Sequence, residues 1–225
     1  MLLMSLLTRN LDLFDPIDAA VSEQSSREDQ LEAVARFVRE CVLCPLCRNR
    51  RNAVPGEGDA AARLMIVGEG PGENEDARGR PFVGRAGELL DKILLAAEFP
   101  RPTVFITNIV KCRAADLVEG RMQNRAPMAP EVAACRPYLV RQVEIIQPKV
   151  VLCLGSPAGK GVIDPGFSIT EQRGQWFEGP FGSRIIATFH PAFILRRGGA
   201  GSGARELKKL VWEDMKLIKN YLPEA

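Results

Sequence analysis

Leu64-Met-Ile-Val-Gly-Glu-Gly-Pro-Gly-Glu-Asn-Glu-Asp76 runs from a short apolar stretch into an acidic glycine bend, and after Ala77 and Arg78 comes Gly79-Arg-Pro-Phe-Val-Gly-Arg85. Residues 64–67 read as a buried strand. The glycines then let the chain turn sharply, bringing main-chain amides, four acids and a lone phenylalanine towards one flat ligand. A strand that ends in such a bend belongs to an α/β sheet whose carboxyl ends carry the site.

Three more apolar runs read as strands: residues 104–110, 150–154 and 184–189. Helical spacing separates them. Residues 27–42, 86–98, 130–147 and 204–221 each repeat apolar side chains every three or four positions, with Pro137 marking a start or kink in the third. Strands alternating with helices predict an α/β fold, a three-layer α/β/α sandwich around a central, mostly parallel four-stranded sheet. Gly68-Glu69, Asn108 and His190 all fall at strand ends, which gathers them into one expected site.

At 225 residues with 46% apolar content, the chain suits a single domain over residues 27–225, preceded by an extension at 1–26. Thirty basic and 28 acidic residues leave a net charge of +2, so any nucleic-acid footprint has to be local. Arg48, Arg50 and Arg51 form one cluster, Arg196 and Arg197 another. The apolar start at residues 1–7 is too short to span a bilayer and lacks a positive leader, so a soluble, cytoplasmic chain without membrane contact is expected. Residues 198–203 read as a glycine-rich loop, and Glu119-Gly120 lies in a long connection.

Six cysteines are too few for a disulfide scaffold of this size. Cys44-Pro-Leu-Cys47 forms a C-x-x-C pair, and Cys112 and Cys135 follow near a strand end and a helix start. Four such thiolates can hold zinc or a [4Fe-4S] cluster, and spacing alone separates neither. Cys41 pairs with Cys44 at the same spacing and is taken as a spare. Cys153 reads as core.

Alone, the glycine bend is an ordinary strand-to-helix turn. It lacks the P-loop lysine and the dinucleotide spacing, and its acids suit a cationic reacting centre better than phosphate. His190, the only histidine, directly follows a strand and opens His-Pro-Ala; structural and catalytic readings are evenly matched. Phe82 is by default a core residue, whereas Asn108 would be an awkward one, because a buried amide needs partners. A phenyl ring and an amide suit a planar base, one stacking and the other reading its edge.

These motifs, with Thr107-Asn-Ile-Val-Lys-Cys-Arg113, resemble family 4 uracil-DNA glycosylases, the iron-sulfur, thermostable type, over about residues 40–221. The resemblance implies a structural [4Fe-4S] cluster on Cys44, Cys47, Cys112 and Cys135. It implies a flipped uracil stacked on Phe82, read by Asn108 and enclosed by the main chain at Gly68, Glu69 and Gly70. His190 would hydrogen-bond the departing O2, Glu69 would stabilise the sugar cation or orient water, and Glu75 would lie beside the base and exclude the thymine methyl. Leu195 or Arg196 would fill the vacated stack, with Arg197 and Arg113 as further DNA contacts. Uracil-containing DNA, single- or double-stranded, is the implied partner of a monomeric, nucleoid-associated enzyme. The stretch between Cys112 and Cys135 is longer than the family pattern. It has no histidine, unlike the insertion of the related uracil-crosslinking subgroup, so capture through that device is not expected. No lysine stands out for Schiff-base chemistry, so lyase activity is not expected. Competing readings are a uracil-DNA binder without turnover and, more remotely, an iron-sulfur electron carrier.

Overall fold

The computed structural model describes residues 25–198 and 202–222. The expected extension at 1–26 and the loop at 198–203 lie largely outside the described residues. Four parallel strands form the centre: β2 (Leu64–Gly68), β3 (Phe105–Asn108), β6 (Val150–Leu154) and β8 (Arg184–Thr188). The sheet has six strands rather than four, in the order β1-β3-β2-β6-β8-β7. The two additions, β1 (Glu57–Gly58) and β7 (Phe177–Glu178), are two-residue antiparallel edges.

Every residue of β2 and of β6 is buried, as expected of strands covered on both faces. Their alternation sorts the core into two layers. Leu64 and Ile66 face α3 (Arg85–Ala96) and α8 (Ser202–Tyr221), packing with Leu90, Leu94, Val211 and Met215. Met65 and Val67 face α4 (Ala129–Ile146) and α5 (Gly155–Val162), packing with Leu139, Val143, Ala158 and Val162. This is the expected three-layer arrangement. Beside it, α1 (Arg27–Glu40) packs on α4 in a third cluster containing Val34, Val38, Cys112 and Cys135. Ser26 caps α1, its Oγ accepting from the Asp29 N–H at 3.1 Å.

Pro137 lies inside the continuous α4, whose start is instead marked by Pro130 and by Glu131 accepting from the Met128 N–H at 2.7 Å. The long connection containing Glu119-Gly120 is a β-hairpin, β4 (Ala115–Val118) paired with β5 (Arg121–Asn124). Both turn residues have positive φ, +49° and +76°, as a two-residue hairpin turn requires. Among the described residues no helix is long and apolar enough to cross a membrane.

Candidate active site

The carboxyl ends of all four parallel strands open into one cavity of about 820 Å³, lined by Glu69 after β2, Asn108 on β3, Gly155 after β6 and His190 after β8. The expected convergence of three strand ends therefore extends to a fourth. Gly155 has φ +86°, and a Cβ there would stand 3.1 Å from that of His190, so glycine lets these two strand ends approach.

Gly68 is required by what crowds it. A Cβ at this position would lie 2.4 Å from Asn108 Oδ1 and 2.7 Å from Phe82 Cζ, so the amide and the phenyl ring converge over a bare main chain. Asn108 is 2% exposed, and its Oδ1 has no hydrogen-bond partner among the described residues. A buried acceptor without a partner costs about 1–3 kcal/mol. Such a group marks a position that a ligand donor would complete.

Phe82 is buried in the left-handed region at φ +50°, a conformation uncommon for a bulky side chain. Glu75, on α2 (Glu73–Arg78), is bound to the same loop. Its Oε1 accepts from the Val83 and Gly84 N–H groups at 2.8 and 2.9 Å, while Oε2 accepts from the Gly72 N–H at 3.1 Å. Both carboxylate oxygens are thus engaged with main chain. Glu75 also lines the cavity, where it was expected to lie beside the base.

His190 is the N-cap of α7 (Pro191–Arg196), and its Nδ1 accepts from the Ala192 N–H at 3.0 Å. Nδ1 is therefore unprotonated, and a neutral ring carries its proton on Nε2. Burial, followed by the Arg196 charge, pulls the imidazole down to about 4, so the ring is neutral at pH 7. Burial pushes the Glu69 carboxyl above its ordinary range, and Arg196 partly offsets this. One cation thus acts on both expected catalytic groups.

The expected DNA contacts divide. Arg196 is exposed and lines the cavity; Leu195 is half-buried, and the Arg197 guanidinium lies 5.4 Å over the Phe193 ring. Arg113 instead braces the hairpin, donating to Asn124 Oδ1 at 2.7 Å and to the Met122 carbonyl at 3.2 Å. Asn124 and Arg125 carry that hairpin to the cavity wall, a contribution the sequence reading did not assign.

A second, smaller cleft is lined by Cys41, Cys44, Cys47, Cys112 and Cys135, with Arg50, Lys111 and Tyr138 among them. Among the described residues no three of the His, Cys, Asp and Glu side chains form a ready-made metal-binding group. The donor chemistry nevertheless suits a thiolate-ligated centre. Arg50 donates to Cys112 Sγ at 3.2 Å, and the Lys111 N–H donates to Cys135 Sγ at 3.1 Å. Cys41 is among the principal charge neighbours of Cys44, Cys112 and Cys135, whereas Cys47 is such a neighbour of Cys44 but not of Cys112 or Cys135. Cys41, expected as a spare, thus shares the cleft with the four expected ligands Cys44, Cys47, Cys112 and Cys135. Lys111 itself is buried, its Nζ donating to Asn108 O at 2.9 Å and Gln142 Oε1 at 2.8 Å, which ties the thiol cleft to the strand carrying Asn108.

A model of the uracil DNA glycosylase superfamily matches residues 55–216, and the chain belongs to that superfamily. Within it, the chain is 42% identical over 198 residues to a Type-4 uracil-DNA glycosylase of Thermotoga maritima, covering 88% of this chain and 97% of the relative. A Type-4 uracil-DNA glycosylase of Sulfurisphaera tokodaii is 41% identical over 201 residues, 85% of this chain and 84% of the relative. A Type-5 uracil-DNA glycosylase of Pyrobaculum aerophilum is more distant, at 29% over 181 residues, 67% of this chain and 76% of the relative.

Proposed function

We propose that this chain is a monofunctional uracil-DNA glycosylase, hydrolysing the N-glycosidic bond of an extrahelical deoxyuridine and leaving an abasic site. The observation that carries the reading is the partnerless Asn108 Oδ1 beside the Phe82 ring. Uracil offers an N3–H donor and an O4 acceptor, which a carboxamide satisfies with its oxygen and its NH₂. Cytosine presents the reverse pattern on that edge and would leave both sides unpaired. The main chain at Gly68, Glu69 and Gly70 encloses the base, which stacks on Phe82.

Breaking the C1′–N1 bond sends its electron pair into the uracil ring and leaves positive charge on the sugar. The neutral His190 donates from Nε2 to O2 as that oxygen gains charge, a contact that strengthens towards the transition state. The Glu69 carboxylate stabilises the sugar cation and orients the water that attacks C1′. That water gives its proton to the Glu69 carboxylate, which passes it to solvent, and uracil departs as the anion or takes up a proton from solvent. Arg196 and Leu195 occupy the space left in the stack, with Arg197 and the Arg113-braced hairpin as further DNA contacts.

We assign a [4Fe-4S] cluster to Cys44, Cys112, Cys135 and, in place of Cys47, Cys41. When bound, it supplies a structural cross-link. The charge neighbours of Cys112 and Cys135 favour Cys41 as the fourth ligand. Its ligands join the end of α1, the segment preceding the hairpin, and α4.

Incubation with a uracil-containing oligonucleotide followed by alkali tests the activity. Strand scission at the uracil, lost in Glu69→Gln, is the expected result. Intact DNA with a retarded band would instead identify a binder without turnover. Single- and double-stranded substrates run together measure strand preference.

A further inference from the structure

Each residue of the segment 80–84, with Phe82 at its centre, is held by a named partner. Arg80 pairs with Glu57, its Nε 2.7 Å from Oε2. The Pro81 and Phe82 carbonyls both accept from Arg101, at 2.6 Å from Nη2 and 3.3 Å from Nη1. The next two N–H groups, of Val83 and Gly84, donate to Glu75 Oε1. Arg101 is itself fixed by Glu57 at 2.8 Å and Asp91 at 2.9 Å.

Two peptide planes flank the Phe82 Cα, and their relative rotation defines its φ and ψ. Arg101 holds the carbonyl oxygens of both planes, and Glu75 takes the amide hydrogen of the second. With both planes fixed, the chain cannot relax from φ +50° to the ordinary negative region without breaking charge-assisted bonds. Close packing completes the restraint, since a Cβ on Gly87 would fall 1.8 Å from the Phe82 carbonyl oxygen. Glu75 lines the cavity, but Arg101, Glu57 and Asp91 do not. They act from outside it.

We infer that Arg101 is a positioning residue for base capture: from outside the cavity, it and Glu75 clamp Phe82 in its strained conformation and so set the plane on which the extruded base stacks. The inference rests on the proposed uracil site only for the identity of that base. A free loop would need to be ordered at each encounter, whereas the clamped ring is ready beforehand.

The test uses the full, cluster-loaded chain in a double-mutant cycle of Arg101→Gln and Phe82→Ala, read by kcat/KM on a uracil oligonucleotide. Arg101→Gln is expected to cost about tenfold alone and under about twofold when Phe82 is already alanine. A second readout needs no substrate. Phe82 stacks on His190, the only histidine, so the ring-current displacement of the His190 Hε1 resonance reports the phenyl orientation. Arg101→Gln should move that resonance towards its position in Phe82→Ala, and Asp91→Asn, a milder change to the same clamp, should move it less in the same direction. Equal losses of activity in both backgrounds, or an unmoved resonance in both clamp variants, would overturn the inference. A shifted resonance in a protein whose wild type excises no uracil would leave the clamp standing and remove the functional reading instead.

Discussion

The Phe82 and His190 rings stack with centroids 5.7 Å apart and planes inclined by 27°. A base sandwiched between them would need two van der Waals spacings, about 7 Å. The rings therefore cover each other rather than enclose a third, and a base that lies flat on Phe82 meets the imidazole by an edge. In the proposed reaction this division would give the phenyl ring the face of the base and Nε2 its exocyclic oxygen.

The same contact helps exclude water from His190, and its consequence is measurable. In tag-free protein the single imidazole should titrate near 4 rather than the ordinary value of about 6.5, with Nε2 protonated in the neutral form. Nitrogen and carbon chemical shifts followed against pH read both. Phe82→Ala should raise the midpoint, since it admits water to one face of the ring.

Stability should follow the same group. The unfolded chain takes up a proton on this histidine as pH falls through about 6.5, while the folded chain resists until about 4, so stability is lost across that interval. The imidazole is half-buried, and the expected loss between pH 7 and pH 5 is about 1 to 2 kcal/mol. Urea midpoints at the two pH values check this; His190→Asn should remove that part of the slope.

Asn108 should separate activity from stability. Asn108→Leu removes the acceptor that would meet the base and should lower kcat/KM by about 100-fold. The partnerless Oδ1 also disappears, so the thermal midpoint should hold or rise. A large fall in the midpoint would show that the amide is part of the scaffold.

The two C-x-x-C spacings that share Cys44 predict opposite outcomes. Cys41→Ser should abolish the visible absorbance of an iron-sulfur cluster and reduce the iron found per chain, whereas Cys47→Ser should retain both. Bleaching by Cys47→Ser with colour retained in Cys41→Ser would restore the Cys44 and Cys47 pair.

β2 and β6 are legible because both their faces are buried, which makes each an almost unbroken apolar run, while β3 and β8 carry shorter apolar cores, Phe105-Ile106 and residues 185–187, next to polar residues. β1 and β7 are not, since two residues at a sheet edge pair through main chain alone and need no apolar pattern. The β4–β5 hairpin is mostly exposed beyond Ala115, so its polar sequence resembles a loop; Glu119-Gly120 was its one turn signal. Asn108 and His190 can be found because polar residues are out of place at strand ends; Phe82 lies in the loop between α2 and α3, and its only signal is the glycine-rich stretch around it. Cys41 cannot be told from Cys47 by counting. Arg101 and Glu57 leave no local trace, because their work depends on contacts 10 to 44 positions away.

The four parallel strands each deliver one wall of the cavity from a carboxyl terminus, so no subset of the sheet encloses a recess by itself. Catalytic competence should consequently appear only with the completed fold. In a denaturant titration, turnover and far-ultraviolet dichroism should vanish together, making excision an assay of the molecule's overall cooperativity.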